Sequence, residues 1–150
     1  MQTTIQEISL IHYGASKYRE EMFKPIVDRK YKSKPHGGLW ASPIRSSYGW
    51  IDWCNENNYG EIKNSFKFAF KGAVLKIRDQ LAVNELPWIE NDIGRWGLSF
   101  EEIINVCECD AVHLSLKALR YCEVSDGSRT FDGWDCETVL ILNPKSIIIA

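Results

Sequence analysis

The longest alternation of apolar and polar residues lies in the middle of the chain. Phe66, Phe68 and Phe70 alternate with polar or small residues, and the strand character resumes after Gly72. A period of two predicts a half-buried β-strand, so we expect a β region over Ser65–Ile77. Within it, Gly72 is expected to be either a hairpin corner or a bulge.

Shorter apolar runs predict further strands on both sides of this region. Residues of high β-propensity are concentrated in Glu7–Tyr13, Leu39–Ser42, Ala111–Ser115 and Thr138–Leu142, which end at glycine, proline or polar residues. Ile147–Ile149 is expected to add a short edge strand.

Helices are predicted where apolar residues recur at helical spacing or where a capping residue precedes them. Three are expected over Ser16–Phe23, Ser47–Asn57 and Asp79–Val83. A fourth begins at Ser99, which forms a capping box with Glu102.

The remaining segments are expected to be irregular. They are Lys30–Gly38, Leu86–Gly97 and Ser125–Gly133, all rich in turn residues. Short strands and short helices therefore mix without a regular βαβ alternation, which favours the α+β class. A length of 150 residues with no repeat and no linker predicts one domain over residues 1–150.

Charge and composition exclude some kinds of protein. The net charge of −2 argues against a protein held on nucleic acid by its overall charge. The basic segment Arg29–Lys34 is a local exception, although such runs are usually solvated loops. Six tryptophans in so short a chain suggest a binding cleft as well as an aromatic core.

The five cysteines do not predict a metal site. They include no C-x-x-C pair, and the three histidines complete no zinc spacing. No apolar run approaches the length of a membrane span, and Met1–Glu7 is too polar for a signal peptide. We therefore expect a cytoplasmic protein with reduced thiols, no metal and no membrane partner.

A carboxylate immediately before the last long apolar run is the first candidate for chemistry. In the segment Asp135–Pro144, Glu137 stands directly before the predicted strand. It is either a strand-edge charge that prevents aggregation or a functional group at a strand end. Asp135 is likewise either a turn residue or a second functional carboxylate.

A second candidate segment is rich in aromatic and hydroxyl side chains. Trp40 lies in Gly38–Ser42, and Ser46, Ser47 and Tyr48 follow. Aromatic faces attract flat cations by stacking and cation–π interactions of ~0.5–2 kcal/mol each. The alternative is that the rings of Trp40 and Tyr48 belong to the hydrophobic core.

The third candidate segment is Leu10–Ser16, in which His12 and Tyr13 are the last residues of the predicted strand and Gly14 follows them. A lone histidine on a strand is more often structural. This segment therefore supports a functional role only because it precedes the Trp40 and Glu137 segments in the chain.

In this order, the three segments resemble the three motifs of the ADP-ribosyltransferase superfamily. The closest branch is the His–Tyr–Glu type, which includes diphtheria toxin and the poly(ADP-ribose) polymerases. The resemblance covers roughly the first third and the last tenth of the chain. Tyr13 stands between His12 and Gly14, and Trp40 replaces the usual tyrosine. The resemblance implies an ADP-ribosyltransferase-like fold with two small packed β-sheets flanked by short helices.

The resemblance also implies roles for individual residues. Glu137 would be the catalytic carboxylate, assisted by His12 and Tyr48, and Asp135 would help to select the acceptor. The residues implied to bind NAD are His12, Tyr13, Gly14, Gly38, Trp40, Ser42, Ser47 and Tyr48. Ser46 is an alternative to Ser47 for the nicotinamide carboxamide, Arg29–Lys34 would meet the pyrophosphate, and Ser125–Trp134 would face the acceptor.

The implied activity is that of an NAD-dependent mono-ADP-ribosyltransferase that needs no metal. Its acceptor would be a protein, a nucleic acid or a small molecule. The alternatives are an NAD glycohydrolase, an RNA 2′-phosphotransferase on the same fold, and a module that binds NAD or an ADP-ribose derivative without chemistry. Small members are often toxins, phage proteins or defence components, which suggests such a role by analogy.

Overall fold

The fold is mixed α+β, as predicted. The computed structural model describes residues 1–30, 32–90, 94, 96–124 and 129–149, without the side chains of residues 123 and 124. The strands are β1 Thr3–Tyr13, β2 Lys24–Val27, β3 His36–Pro43, β4 Ser65–Ile77, β5 Trp88–Glu90, β6 Trp96–Leu98, β7 Ala111–Leu114, β8 Thr138–Ile141 and β9 Ile147–Ile148. The helices are α1 Trp50–Asn57, α2 Gln80–Asn84, α3 Phe100–Cys107 and α4 Leu116–Val124, and 3₁₀ turns span Glu20–Met22 and Pro144–Ser146.

Five of the strands close into a barrel. β1 pairs with β3, β3 with β8, β8 with β7, β7 with β4, and β4 with β1. These pairings are antiparallel except for the parallel pair β4–β7. β2 extends the sheet beside β3 and β9 extends it beside β4, while β5 and β6 form a separate hairpin.

The expectation of two small packed sheets is therefore wrong for this chain. One seven-stranded sheet closes on itself, and the second sheet is only the β5–β6 hairpin. The cause is the length of β4, which pairs with all of β1 and still reaches β7 at its far end. A long strand that serves two neighbours allows the sheet to curl into a ring.

Apolar residues fill both faces of this sheet. The barrel interior holds alternate residues of its strands, including Leu10, Phe68, Phe70, Val139 and Ile141. The outer face packs on the helices through a second cluster that includes Ile77, Val112, Leu140, Phe100, Ile103 and Leu119. The predicted alternation of Phe66, Phe68 and Phe70 is confirmed, because all three side chains are buried.

Most predicted strands and helices are confirmed, with several differences. β2 Lys24–Val27 was not predicted, and β3 begins at His36, inside the predicted irregular segment Lys30–Gly38. The helix predicted over Ser16–Phe23 is only the 3₁₀ turn Glu20–Met22, because Tyr18, Met22 and Phe23 pack individually against the barrel core. The helix α4 was missed, although Ala118, Leu119 and Cys122 are buried at helical spacing. The predicted irregular segment Leu86–Gly97 contains β5 and most of β6.

Gly72 is neither a hairpin corner nor a bulge, so both expectations for it are wrong. β4 runs through it, pairing Gly72 with Gln6 of β1. A Cβ at this position would lie 2.5 Å from the Asp110 Oδ2 atom, which accepts a hydrogen bond from the Ala73 amide. The glycine is therefore required by the close approach of an aspartate that ties β4 to the start of β7.

Candidate functional site

The Glu137 carboxylate is held by a neighbour at each oxygen. Its Oε1 accepts a hydrogen bond of 2.6 Å from Ser46 Oγ, and its Oε2 lies 2.7 Å from His113 Nε2. The Glu137 amide donates to the Tyr48 carbonyl oxygen at 3.0 Å. The side chain is 17% exposed. Because both oxygens and the backbone are fixed, this carboxylate has a defined position at the start of β8.

The surroundings of Glu137 favour its charged form. The hydrogen bond with His113 is the main cause that lowers the pKa of this carboxyl below its usual value, against the opposing effect of burial. The Ser46 hydroxyl and the nearby charge of Lys76 act in the same direction. Glu137 is therefore a negative charge at neutral pH.

His113 is the part of this cluster that the sequence reasoning missed. It lies in β7, where it pairs with Val139 of β8 and so shares its face. Its side chain is 8% exposed, and its Nδ1 is buried with no hydrogen-bond partner among the described residues. The available signal was a single polar residue inside the apolar run of β7, which is usually a structural feature.

The order of contacts in this cluster excludes a serine-hydrolase triad. In such a triad the imidazole lies between the hydroxyl and the carboxylate, so that it can take the proton of the serine. Here the Glu137 carboxylate lies between Ser46 and His113. Ser46 therefore acts as a donor that holds the carboxylate.

A second cluster surrounds a cavity of about 220 Å³ beside the first residue of β8. The described residues that line it include His12, Tyr13, Lys34, Trp40, Ser42, Trp50, Asp135, Cys136 and Thr138. Cys136 and Thr138 are the chain neighbours of Glu137, which itself turns toward Ser46 and His113. The predicted site is thus divided into a carboxylate cluster and a cavity that meet at residues 136–138.

His12 presents a hydrogen-bond acceptor at this cavity. Its Nδ1 lies 2.7 Å from the Trp40 carbonyl oxygen, and since a carbonyl only accepts, Nδ1 carries the proton. Burial lowers the pKa of the His12 ring, although the hydrogen bond to Trp40 opposes this effect. The ring is therefore neutral at neutral pH, with an unprotonated Nε2.

Trp40 lines the cavity with part of its ring already in contact with protein. It makes an edge contact with Trp134 at 4.9 Å between ring centres, and its Nε1 donates to the Gly37 carbonyl at 3.1 Å. Lys34 Nζ lies 5.0 Å from the centre of the ring. Lys34 thus brings a cation from the predicted basic segment Arg29–Lys34 to the cavity.

Tyr48, which the resemblance implies to bind NAD, does not line the cavity of about 220 Å³. Its hydroxyl donates to the Glu56 carboxylate near the end of α1, and this bond is the main cause that raises the pKa of Tyr48 to about 12. The ring lines a different cavity. The aromatic residue that α1 contributes to the small cavity is Trp50.

Two of the predicted glycines have roles within the protein itself. The amide of Gly14, which the resemblance implies to bind NAD, donates to the Asn64 carbonyl oxygen at 2.9 Å. Gly38 has a φ of +71°, and a Cβ on it would lie 2.7 Å from the Ile141 carbonyl oxygen. The absence of a side chain at Gly38 is thus explained by the packing of β3 against β8, and no ligand is needed to account for it.

The three serines that the resemblance assigns to NAD lie in different environments. The Ser42 hydroxyl is buried and accepts a hydrogen bond of 3.0 Å from the Trp50 amide, so it fixes the start of α1. Ser47 is exposed. Ser46, named as its alternative, is the serine that reaches the carboxylate cluster.

A larger cavity of about 660 Å³ adjoins the smaller one. The two share a wall at residues 133–135, and Asp135 lines both. Burial raises the pKa of Asp135, while the charge of Lys34 opposes this effect. Other lining residues include Tyr48, Trp53, Leu116, Leu119, Arg120, Thr130, Phe131 and Asp132. Residues 125–128 of the predicted acceptor loop lie outside the described residues.

Among the described residues, no group of His, Cys, Asp and Glu side chains is arranged to hold a metal ion. No helix in the described part of the chain has the length and apolar character needed to cross a membrane. Comparison with protein-family models, with curated proteins and with solved structures found no match.

Proposed function

We propose that the protein is an NAD-dependent mono-ADP-ribosyltransferase that acts through Glu137, on a barrel-like variant of the ADP-ribosyltransferase fold. The proposal depends most on one observation: an ionised carboxylate is held by Ser46 and His113 at the start of β8. Its two chain neighbours, Cys136 and Thr138, are among the residues that line the small cavity. This arrangement also argues against the strand-edge alternative, because a charge that only prevents aggregation needs no buried partner.

The chemistry requires a fixed negative charge. Cleavage of the bond between nicotinamide and ribose passes through a transition state that resembles an oxocarbenium ion. A carboxylate that is already in place stabilises this cation without reorganising during the reaction. Glu137 fits this requirement because its two oxygens are held before any substrate arrives. The 2′-hydroxyl of the nicotinamide ribose would donate to the same carboxylate.

The small cavity offers contacts for the rest of NAD. His12 Nε2 would accept a hydrogen bond from a ribose hydroxyl, and Lys34 would meet the pyrophosphate. A cavity of about 220 Å³ is smaller than a typical ligand pocket of about 300–1,000 Å³. It would therefore enclose one end of the dinucleotide, and the remainder would follow the surface past Lys34.

The larger cavity would receive the acceptor, which is a protein side chain, a nucleic-acid base or a small molecule. Asp135 lines both cavities, so it would lie between the two substrates. Tyr48 faces the larger cavity and would contact the acceptor instead of the nicotinamide. The cytoplasmic location and a role as a toxin, phage or defence protein stay predictions.

The test is incubation of the protein with labelled NAD and a cell lysate. Labelling of a lysate component is expected, and Glu137→Gln should reduce it by roughly 10²–10³-fold, the usual effect of removing one electrostatic stabiliser. The matched control is Glu7→Gln, which changes an exposed carboxylate on β1 and should leave labelling intact. Labelling that survives Glu137→Gln would overturn the assignment.

The products distinguish the alternatives. Free nicotinamide and ADP-ribose formed without an acceptor would identify an NAD glycohydrolase. Removal of a 2′-phosphate from RNA in the presence of NAD would identify the phosphotransferase. Calorimetric binding of NAD without any turnover would identify a binding module.

A further inference from the structure

We infer that His113 is the positioning residue of the Glu137 carboxylate: a neutral imidazole that donates from Nε2 and leaves the carboxylate its full negative charge. The inference rests on the proposed function only for the use that is made of this charge. The hydrogen bond between His113 and Glu137 is a geometric feature, and its effect on the carboxyl can be measured without any enzymatic activity. We call this hydrogen bond the clamp.

The contact is short, buried and built on paired strands. His113 Nε2 lies 2.7 Å from Glu137 Oε2, and the two side chains are 8% and 17% exposed. β7 and β8 are paired from Ala111–Ile141 to Leu114–Thr138, so the position of one side chain relative to the other is set by the strand register. A donor mounted on a paired strand loses little freedom when it holds its acceptor.

The unpartnered nitrogen of His113 indicates which proton the ring carries. A carboxylate accepts, so the nitrogen facing Glu137 is the one that bears hydrogen. Nδ1 is buried and has no partner among the described residues. A second proton there would be a buried N–H without an acceptor, which is unfavourable. The pair therefore consists of a neutral ring and a carboxylate, with a net charge of −1.

This charge state is suited to a cationic transition state. A protonated imidazolium at 2.7 Å would cancel most of the field of the carboxylate. A neutral ring fixes the orientation of the carboxylate and leaves its negative charge uncompensated. The other groups that face Glu137 are the Ser46 hydroxyl and the Tyr48 carbonyl from the segment after β3, and Lys76 from β4. Of these, only Ser46 makes a second direct hydrogen bond to the carboxylate.

A purely structural histidine would behave differently on substitution. Such a histidine would contribute only by packing, so a side chain of similar size in β7 would leave the pKa of Glu137 and the activity unchanged. A positioning histidine is replaced only by a side chain that puts an N–H where Nε2 lies. Glutamine does so and asparagine is too short, which makes His113→Gln and His113→Asn a matched pair of polar amides.

The experiment is a carbon-13 NMR titration of the Glu137 carboxyl in full-length wild type and in both variants, with the signal assigned from its loss in Glu137→Gln. We expect His113→Asn to raise the pKa of Glu137, because it removes the main donor to the charged form, and His113→Gln to restore it. In parallel, NAD turnover by His113→Asn should show a kcat about 10- to 100-fold lower with a KM for NAD within about twofold of wild type. The acid limb of its pH–rate profile should move to higher pH.

The outcomes are separable. An unchanged pKa of Glu137 in His113→Asn would overturn the inference, as would equal defects in the asparagine and glutamine variants. If the titration follows the expectation but wild type does not turn over NAD, the clamp stands and the proposed function fails. Thermal unfolding of both variants identifies any loss of structure, and if His113→Asn does not fold, a wild-type pKa of Glu137 in His113→Gln supports the inference while a raised pKa there overturns it.

Discussion

Replacing Glu137 by glutamine should destabilise the protein only where the carboxyl is charged. The substitution keeps the shape of the side chain and lets the amide bond both Ser46 and His113 after reorientation. It exchanges two hydrogen bonds to a charged acceptor, about 1.5–3 kcal/mol each, for neutral ones of about 0.5–1.5 kcal/mol. The easier burial of an amide offsets part of this difference. We expect the free energy of unfolding at pH 7 to fall by about 1–2 kcal/mol.

The pH dependence follows from the lowered pKa of Glu137 in the folded protein. A group with a depressed pKa contributes stability that is complete above its unfolded value, near 4.3 for glutamate, and is lost as pH falls through the folded value. The difference in the free energy of unfolding between wild type and Glu137→Gln should therefore decrease in acid. At pH 7 and pH 6 the difference should be constant, and below about pH 4 it should shrink toward zero.

The assay is urea unfolding followed by tryptophan fluorescence at several pH values, with the slope m compared between variants. At pH 7 the difference corresponds to a shift in Tm of roughly 3–6 °C for a chain of this size. Glu7→Gln is the control, since this residue is exposed on β1 and its replacement should change stability little at any pH. A stability difference at position 137 that does not vary with pH would refute the reasoning, because the carboxylate would not be the ionised acceptor of two buried donors.

Three further predictions concern the cavity and its framework. His12→Ala should weaken NAD binding in calorimetry by roughly tenfold, since it removes one acceptor of a ribose hydroxyl; unchanged affinity would place NAD elsewhere. Gly38→Ala should lower the free energy of unfolding by about 2–4 kcal/mol, and Gly94→Ala by only about 1 kcal/mol, because both glycines have positive φ but only Gly38 has backbone 2.7 Å from the new Cβ. Asp28→Ala should cost about 2 kcal/mol in urea unfolding, since its carboxylate accepts the first amide of α3 at 2.7 Å.

The sequence was most informative where one physical pattern governs a segment. The alternation around Phe66–Phe70 predicted β4 correctly because its two faces meet different environments, one of them the barrel interior. The helix α3 was predicted from Ser99, and its hydroxyl accepts from the Glu102 amide at 3.1 Å. Such features are visible in the spacing of residues that lie close together in the chain. The Asp28 carboxylate at the first amide of α3 shows that distant residues also contribute.

Features that depend on distant pairing were not predictable in the same way. The closure of the barrel depends on β4 meeting both β1 and β7, and nothing in the local sequence of Ser65–Ile77 specifies its partners. His113 is similar: its role appears only when β7 pairs with β8 and brings Glu137 to it. The resemblance implied that Tyr48 binds NAD, but its hydroxyl is bonded to Glu56 on α1 and it lines the larger cavity.

The division of the predicted site has a consequence for catalysis. His12 and Trp40 line the small cavity while the Glu137 carboxylate faces Ser46 and His113, so in the proposed reaction the ribose would reach the carboxylate at the border formed by residues 136–138. We expect the ribose to displace Ser46 and not His113, because Ser46 lies in the irregular segment between β3 and α1 whereas His113 lies in a paired strand. A ribose hydroxyl that replaced Ser46 at Oε1 would meet a carboxylate still fixed at Oε2. In the complex, the Ser46 donor at Oε1 would be exchanged for the ribose hydroxyl. The His113 donor would remain at Oε2 and would fix the orientation of the carboxylate toward the developing cation.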